Sequence, residues 1–238
     1  MGERDSYAPG TFCWAELGTT DVEAATAFYA EVFGWEVDGT RFRLDGSDVA
    51  GVEAADAARW RSRLSVEDVD ALAERVRELG GEVLAEPLDV EAAGRLAAVA
   101  DPTGAAVDLW QPRELAGAAR VNDAGYMCWN ELASPDPGRA REFYGALLGW
   151  EVEPEETGYG VIRREGAVNG GIRPQQDGEP AHWLVYFTVE SCDDAVAAVR
   201  AGGGSVIAGP MDTAMGRVAA VRDPQGAPFA LFEGEVDP

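Results

Sequence analysis

The chain has 238 residues, of which 46% are hydrophobic and seven are tryptophan, a composition typical of a folded protein with a sizeable core. Its formal charge of −24 argues against nucleic acid as a partner, because no basic stripe is present to neutralise phosphates. No apolar run approaches the roughly 18 residues of a membrane span, and the first residues lack the pattern of a secretory signal. We therefore expect a soluble, cytoplasmic protein with no membrane partner.

The first predicted strand opens an internal duplication. The segment that starts at Phe12 matches the segment that starts at Met127 at 12 of 26 positions, with an offset of 115 residues. A second pair of similar segments starts at Arg59 and His182, and each half closes with an Asp-Pro-x-Gly turn before a final apolar strand. The chain therefore contains two copies of one structural unit.

Each half divides into two blocks with the order strand, helix, three short strands. The first helix is expected to start with a capping box formed by Thr20 and Glu23. The pattern predicts an α+β fold built from four βαβββ units in two modules, residues 1–116 and 123–238. The joint falls between these two ranges.

A motif that occurs once in each half carries a family resemblance. Asp, six residues, Phe-Tyr, four residues and Gly-Trp occupy 21–35 and 136–150, and an Asp-Pro-x-Gly strand closes each half. This arrangement resembles the vicinal oxygen chelate superfamily, which includes glyoxalase I, extradiol dioxygenases and bleomycin-resistance proteins. The resemblance implies two half-barrel modules with their helices outside. The spacing of the repeated aromatic residues on helix and strand favours core packing over ligand stacking.

Family members often hold a divalent ion on the concave face of the half-barrel. The ligand positions that the resemblance implies fall on Trp14, Arg61 and Asp108 in the first module and on Trp129, Leu184 and Ala230 in the second. Indole, guanidinium and alkyl groups donate no lone pair to a cation, so only Asp108 is a potential ligand. The chain has one histidine, and its three cysteines form no CxxC pair. We therefore predict no catalytic metal and no cofactor.

Strand alternation assigns residues to the first concave face. The predicted set is Trp14, Glu16, Arg61, Arg63, Ser65, Asp108 and Trp110. Two acids and two arginines in one cavity favour internal ion pairs that fill a vestigial site, because buried charges persist when they are paired. The alternative is a ligand-binding role for Trp14, Glu16, Arg61 and Asp108.

The second concave face has a different composition. The predicted set is Met127, Trp129, Glu131, His182, Leu184, Tyr186, Thr188, Ala230 and Phe232. An aromatic and apolar wall with a few polar groups is typical of a small-molecule pocket. The loop from Met211 to Met215 is a candidate lid. Arg217 is a candidate partner for an anionic ligand, with an ordinary exposed arginine as the alternative.

Three of these residues are candidate catalytic groups. Glu131 and His182 start neighbouring strands, and a histidine–carboxylate pair transfers protons near neutral pH. Tyr186 is a candidate proton donor. The alternatives are a surface position for His182 and structural hydrogen bonds for Glu131 and Tyr186.

Three functions follow. The favoured one is metal-independent binding of a small aromatic or polycyclic metabolite. The second is a metal-free isomerase, cyclase or hydrolase that uses Glu131, His182 and Tyr186. The third is a metal-dependent dioxygenase or lyase. In each case the expected partner is a small molecule, and the sequence leaves open whether the protein is a monomer or a homodimer.

Overall fold

A computed structural model of the chain describes residues 2–235. The extreme ends of the two predicted modules, residue 1 and residues 236–238, lie outside the described residues. Within the described range the chain forms sixteen strands and four helices. None of these helices is long and apolar enough to cross a membrane.

The two halves of the chain contain the same elements in the same order. The first half contains β1 (Phe12–Thr19), α1 (Val22–Phe33), β2 (Glu36–Asp38), β3 (Arg41–Leu44), β4 (Ser47–Ala54), β5 (Arg59–Ser65), α2 (Val69–Glu78), β6 (Glu82–Val90), β7 (Gly94–Ala100) and β8 (Ala106–Pro112). The second half contains β9 (Met127–Ser134), α3 (Pro137–Leu148), β10 (Glu151–Pro154), β11 (Gly160–Arg164), β12 (Ala167–Pro174), β13 (His182–Thr188), α4 (Cys192–Ala201), β14 (Ser205–Asp212), β15 (Arg217–Arg222) and β16 (Pro228–Glu233).

Each half forms one eight-stranded mixed sheet. The strand orders are β2-β3-β4-β1-β5-β8-β7-β6 and β10-β11-β12-β9-β13-β16-β15-β14, so the two sheets have the same topology. The first strand of each half lies near the centre, parallel to the last strand of its own block and antiparallel to the first strand of the next block. The predicted α+β architecture of tandem βαβββ units is confirmed.

The central strand of each sheet carries a β-bulge near its start. Phe187 pairs with Met127 and Tyr186 pairs with Trp129, so Cys128 is an extra residue on β9. The extra residue reverses the alternation, and Met127 packs in the hydrophobic core with 3% of its surface exposed. The prediction that Met127 faces the second concave surface is therefore wrong.

The repeated Phe-Tyr and Gly-Trp aromatics are buried, as their spacing predicts, and they join the two halves. The Tyr29 hydroxyl donates to Asp223 in the closing turn of the second half, at 3.1 Å. Tyr144 lies beside Asp101 in the first half in the corresponding place, and burial together with that carboxylate raises the pKa of Tyr144. Helix α1 also packs on α4, and α2 packs on α3. The backs of both sheets and the helices thus form one core, while the concave faces point away from it.

Helix α1 begins one residue later than the capping box implies. The cap is Asp21, whose carboxylate accepts from the Ala24 amide at 3.0 Å, and Asp136 accepts from Arg139 in the same way at the start of α3. A carboxylate that accepts from the second or third amide of a helix satisfies a donor that has no partner within the helix. The aspartate that opens the repeated motif is thus a structural residue.

Candidate functional site

The first concave face is filled by a network of charged side chains. Arg63 lies 2.7 Å from Glu16 and 3.7 Å from Asp108, measured between nitrogen and oxygen. Arg61 lies 3.3 Å from Asp108 and 2.6 Å from Glu53. The guanidinium of Arg63 also lies 5.2 Å from the ring centre of Trp110.

Burial sets the energetics of this network. Glu16 and Asp108 are 7% and 2% exposed, and burial raises the pKa of both carboxyl groups even though Arg63 opposes the shift. The Trp14 indole donates to Glu16 at 3.0 Å, and Gly51 leaves room for that carboxylate because a Cβ there would overlap it. The predicted ion pairs of the first cavity are therefore present, and they use the polar groups of Trp14, Glu16, Arg61 and Asp108.

The side chains at the implied ligand positions do not suit a metal ion. The first module offers an indole, a guanidinium and Asp108, whose carboxylate lies beside two arginines. The second module offers Trp129, Leu184 and Ala230, which have no lone pair for a cation. Among residues 2–235 there is also no group of three or more His, Cys, Asp or Glu side chains placed to hold a metal ion.

The second concave face contains an open cavity of about 370 Å³. Its wall consists of Cys128, Trp129, Glu131, Glu155, Tyr159, Val161, Tyr186, Thr213, Ala214, Met215, Val218 and Phe232. Four of the predicted residues are in this wall: Trp129, Glu131, Tyr186 and Phe232. The volume falls within the range of small-molecule sites, about 300–1,000 Å³.

Three differences between the copies explain why one face is filled and the other is open. Arg63 pairs with Asp108 across β5 and β8, and the same register joins Tyr186 to Ala230 across β13 and β16. Leu184 occupies the position of Arg61 because it pairs with Glu131, as Arg61 pairs with Glu16. The second copy therefore has the glutamate of the first, but lacks the charged side chains that fill the first cavity.

Three side chains surround Glu131 in the cavity wall. Arg173 donates to it through Nε at 2.7 Å, and both guanidinium Nη atoms donate to Glu179, at 2.7 and 2.6 Å. Tyr159 and Tyr186 also lie beside Glu131. The Arg173 guanidinium lowers the pKa of Glu179 to about 2. Glu131 and Glu179 therefore share the Arg173 cation, and both carboxylates accept hydrogen bonds from it.

The hydrogen-bond directions determine what the cavity offers a ligand. Burial raises the pKa of Tyr159 and Tyr186, and the neighbouring Glu131 raises both further, so both phenols are protonated at neutral pH. A phenol has one hydrogen to donate, and the Glu131 carboxylate beside both tyrosines is an acceptor for it. The Trp129 indole lies beside Tyr159. The polar end of the cavity therefore presents oxygen lone pairs to a ligand.

His182 does not form the predicted pair with Glu131. Its Nδ1 lies 2.9 Å from the Pro180 carbonyl oxygen, and its Nε2 lies 3.9 Å from Glu179. Arg173, on the strand at the other side of β9, is the charged partner of Glu131. The expected contact between His182 and Glu131 is therefore wrong. Strand β12 borders β9 on the side opposite β13, and it supplies Arg173 as the partner of Glu131.

The remaining predicted ligand contacts lie away from the cavity wall. Leu184, Thr188 and Ala230 are 5%, 6% and 1% exposed, so neighbouring side chains cover them. Arg217 pairs with Asp193 at 3.0 Å and with Asp212 at 2.8 Å. Part of the candidate lid, Met215, does line the cavity.

Both halves of the chain match the same family of known proteins. The sequence model of the glyoxalase-like domain matches twice, at residues 14–110 and 129–232. The chain belongs to the glyoxalase-like domain family. Each match spans one of the two sheets, and the chain is a two-module member of the vicinal oxygen chelate superfamily.

Two full-length relatives of this glyoxalase-like chain are informative. One is the protein CFP32 of Mycobacterium bovis, which is provisionally named as a glyoxylase. It is 37% identical to this chain over 98% of both chains. The other is the anthracycline biosynthesis protein DauV of Streptomyces sp. strain C5, which is 34% identical over 95% of this chain and 94% of its own.

Solved structures share the fold at lower identity. The Mn(II)-bound glyoxalase of Novosphingobium aromaticivorans superposes with a TM-score of 0.69 and 21% identity, over 100% of this chain and 85% of that one. The 2,3-dioxygenase LapB of Pseudomonas sp. KL28 superposes with a TM-score of 0.67 and 17% identity, over 98% of this chain and 95% of that one. These similarities concern the fold alone.

Proposed function

We propose that the second half-barrel of this glyoxalase-like protein binds a small, planar aromatic metabolite that carries hydroxyl groups, and that it does so without a metal ion. The observation that supports this most strongly is the cavity of about 370 Å³ with Trp129, Tyr159, Tyr186 and Phe232 in its wall. Aromatic walls favour planar apolar ligands through area burial and ring contacts.

The polar groups at one end of the cavity are the reason for proposing a ligand with hydroxyl groups. The two tyrosine oxygens and Glu131 accept hydrogen bonds, and a ligand hydroxyl supplies the missing donor. We expect a ligand carbonyl to find no comparable donor there, because the Glu131 carboxylate competes for the hydrogens of both phenols. The name of the relative DauV, which concerns the biosynthesis of fused-ring aromatic compounds, agrees with this ligand class.

A pair of matched probes tests the proposal. We expect a dihydroxyanthraquinone, with its hydroxyls distant from its carbonyls, to bind about tenfold more tightly than its O-methyl ether, because the ether has no hydrogen to donate. Isothermal titration calorimetry measures both affinities, and mass spectrometry of the recovered probe should show it chemically unchanged.

Other outcomes contradict the proposal in different ways. Equal affinities for the phenol and the ether would remove the hydrogen-bond argument, and binding of neither probe would remove the proposed ligand class. Conversion of the probe, abolished by Glu131→Gln, would favour the metal-free isomerase, cyclase or hydrolase in place of a binding protein.

A further inference from the structure

A groove beside the second half-barrel adjoins the cavity. It has a volume of about 750 Å³ and shares Cys128, Trp129, Ala214 and Met215 with the cavity wall. The N-terminal segment around Tyr7 forms one of its sides. A ligand that stacks on Trp129 therefore lies next to the groove.

Arg163 borders this groove, and the duplication shows that its charge lacks the partner found in the first module. Arg43 and Arg163 occupy the same position, because Arg43 pairs in register with Asp48 and Arg163 pairs with Val168. Arg43 lies 3.2 Å from both Asp38 and Asp48. In the second module, valine thus replaces the aspartate.

The hairpin contact of the arginine is kept although the ion pair is not. Arg43 donates to the Gly46 carbonyl, and Arg163 donates to the equivalent Gly166 carbonyl at 3.3 Å. Glu151 lies opposite Arg163 in the register of β10 and β11, but Arg163 forms no ion pair among residues 2–235. A guanidinium without an ion pair is available to an anionic ligand.

The charges around the groove support the same conclusion. Arg4 also borders it. Glu235 is the one carboxylate in the groove wall, so two cations face one anion. This local excess of positive charge occurs in a chain whose formal charge is −24.

We infer that the groove binds a carboxylate group of the same ligand whose rings occupy the cavity, with Arg163 as its main partner. The inference rests on the function proposed above and adds to it the class of ligand, an aromatic acid. A carboxylate matches the planar fork of a guanidinium with two hydrogen bonds, and the exposed Val168 leaves the approach open.

The test uses two probes that differ in one group and a matched pair of variants. The probes are a hydroxyanthraquinone with a carboxymethyl group and the corresponding carboxamide. We expect the acid to bind about tenfold more tightly than the amide to the unaltered protein at low salt. Arg163→Gln should bring this ratio close to one, whereas Arg43→Gln in the first module should leave it unchanged. Both arginines are on hairpins at the surface, so both variants should fold.

The outcomes separate the two proposals. If acid and amide bind equally, or if Arg163→Gln keeps the preference for the acid, the groove does not bind the carboxylate and the cavity proposal stands. If Arg163→Gln and Arg43→Gln reduce the ratio equally, the effect is one of net charge, and the groove inference is wrong. If neither probe binds, the ligand class of the cavity is wrong and the groove inference falls with it.

Discussion

Replacing Arg63 with methionine should lower the free energy of unfolding by about 3–5 kcal/mol. Arg63 is 7% exposed and lies between Glu16 and Asp108, so its removal leaves buried Glu16 without its cation and Asp108 with Arg61 alone. Chemical denaturation at pH 7 measures the loss. Arg75→Met is the control, because Arg75 pairs with Glu78 on an exposed helix face and such pairs contribute about 0–1 kcal/mol.

The loss in Arg63→Met should also depend on pH in a defined direction. Burial raises the pKa of Glu16 and Asp108, and the loss of Arg63 removes an interaction that lowers it. A carboxyl whose pKa is higher in the folded state destabilises that state above this pKa, and the penalty disappears as the pH falls through it. The variant should therefore approach the stability of the unaltered protein in mild acid.

Neutral replacements provide the control for this interpretation. Adding Glu16→Gln and Asp108→Asn to Arg63→Met should restore most of the lost stability, because no buried carboxylate then remains and Arg61 keeps its pair with Glu53. Stability of Arg63→Met equal to that of Arg75→Met, or a loss independent of pH, would show that the first cavity is not held together by these charges.

Removal of either large aromatic from the cavity wall should weaken binding of the dihydroxyanthraquinone about ten- to hundredfold. Trp129→Ala removes a ring that lies beside Tyr159, and Phe232→Ala removes a ring on the opposite side of β13. Trp129→Phe should have an intermediate effect, because it keeps a ring and loses the indole donor. Titration calorimetry on variants with unchanged circular dichroism measures these effects.

The duplication supplies a matched control for the aromatic variants. Trp14 occupies the position of Trp129 in the first module but is 2% exposed and donates to Glu16. Trp14→Phe should reduce stability and leave probe affinity unchanged. Equal weakening by Trp14→Phe and Trp129→Phe would mean that the probe does not bind in the second half-barrel.

The fold and the character of each cavity could be predicted from sequence because both depend on local periodicity. Alternation placed Glu16, Arg61 and Asp108 on one face, and the same rule placed Trp129 and Phe232 in the open cavity. Alternation fails at a bulge, and the prediction for Met127 is wrong for this reason. Nothing in a strand pattern marks Cys128 as an extra residue.

The partner of Glu131 could not be found by the same rule, since it lies on a strand that the pattern did not connect to β9. Arg173 follows Gly171, which pairs with Glu131, and Glu53 stands two residues after Gly51 in the first module. Glu53 and Arg173 therefore occupy equivalent positions in the two modules. The change of charge at this position was the signal in the sequence for the partner of Glu131. Tyr159 lies on the loop before β11, where no periodicity assigns a direction.

The central claim is that aromatic contact and hydrogen bonding, without a cation, bind the ligand in the second half-barrel. The most direct test is a titration of the dihydroxyanthraquinone into protein dialysed exhaustively against EDTA, with metal content checked by elemental analysis, and again after addition of Mn(II). The account predicts the same affinity in both titrations. Binding that requires Mn(II), together with one equivalent of retained manganese, would contradict it.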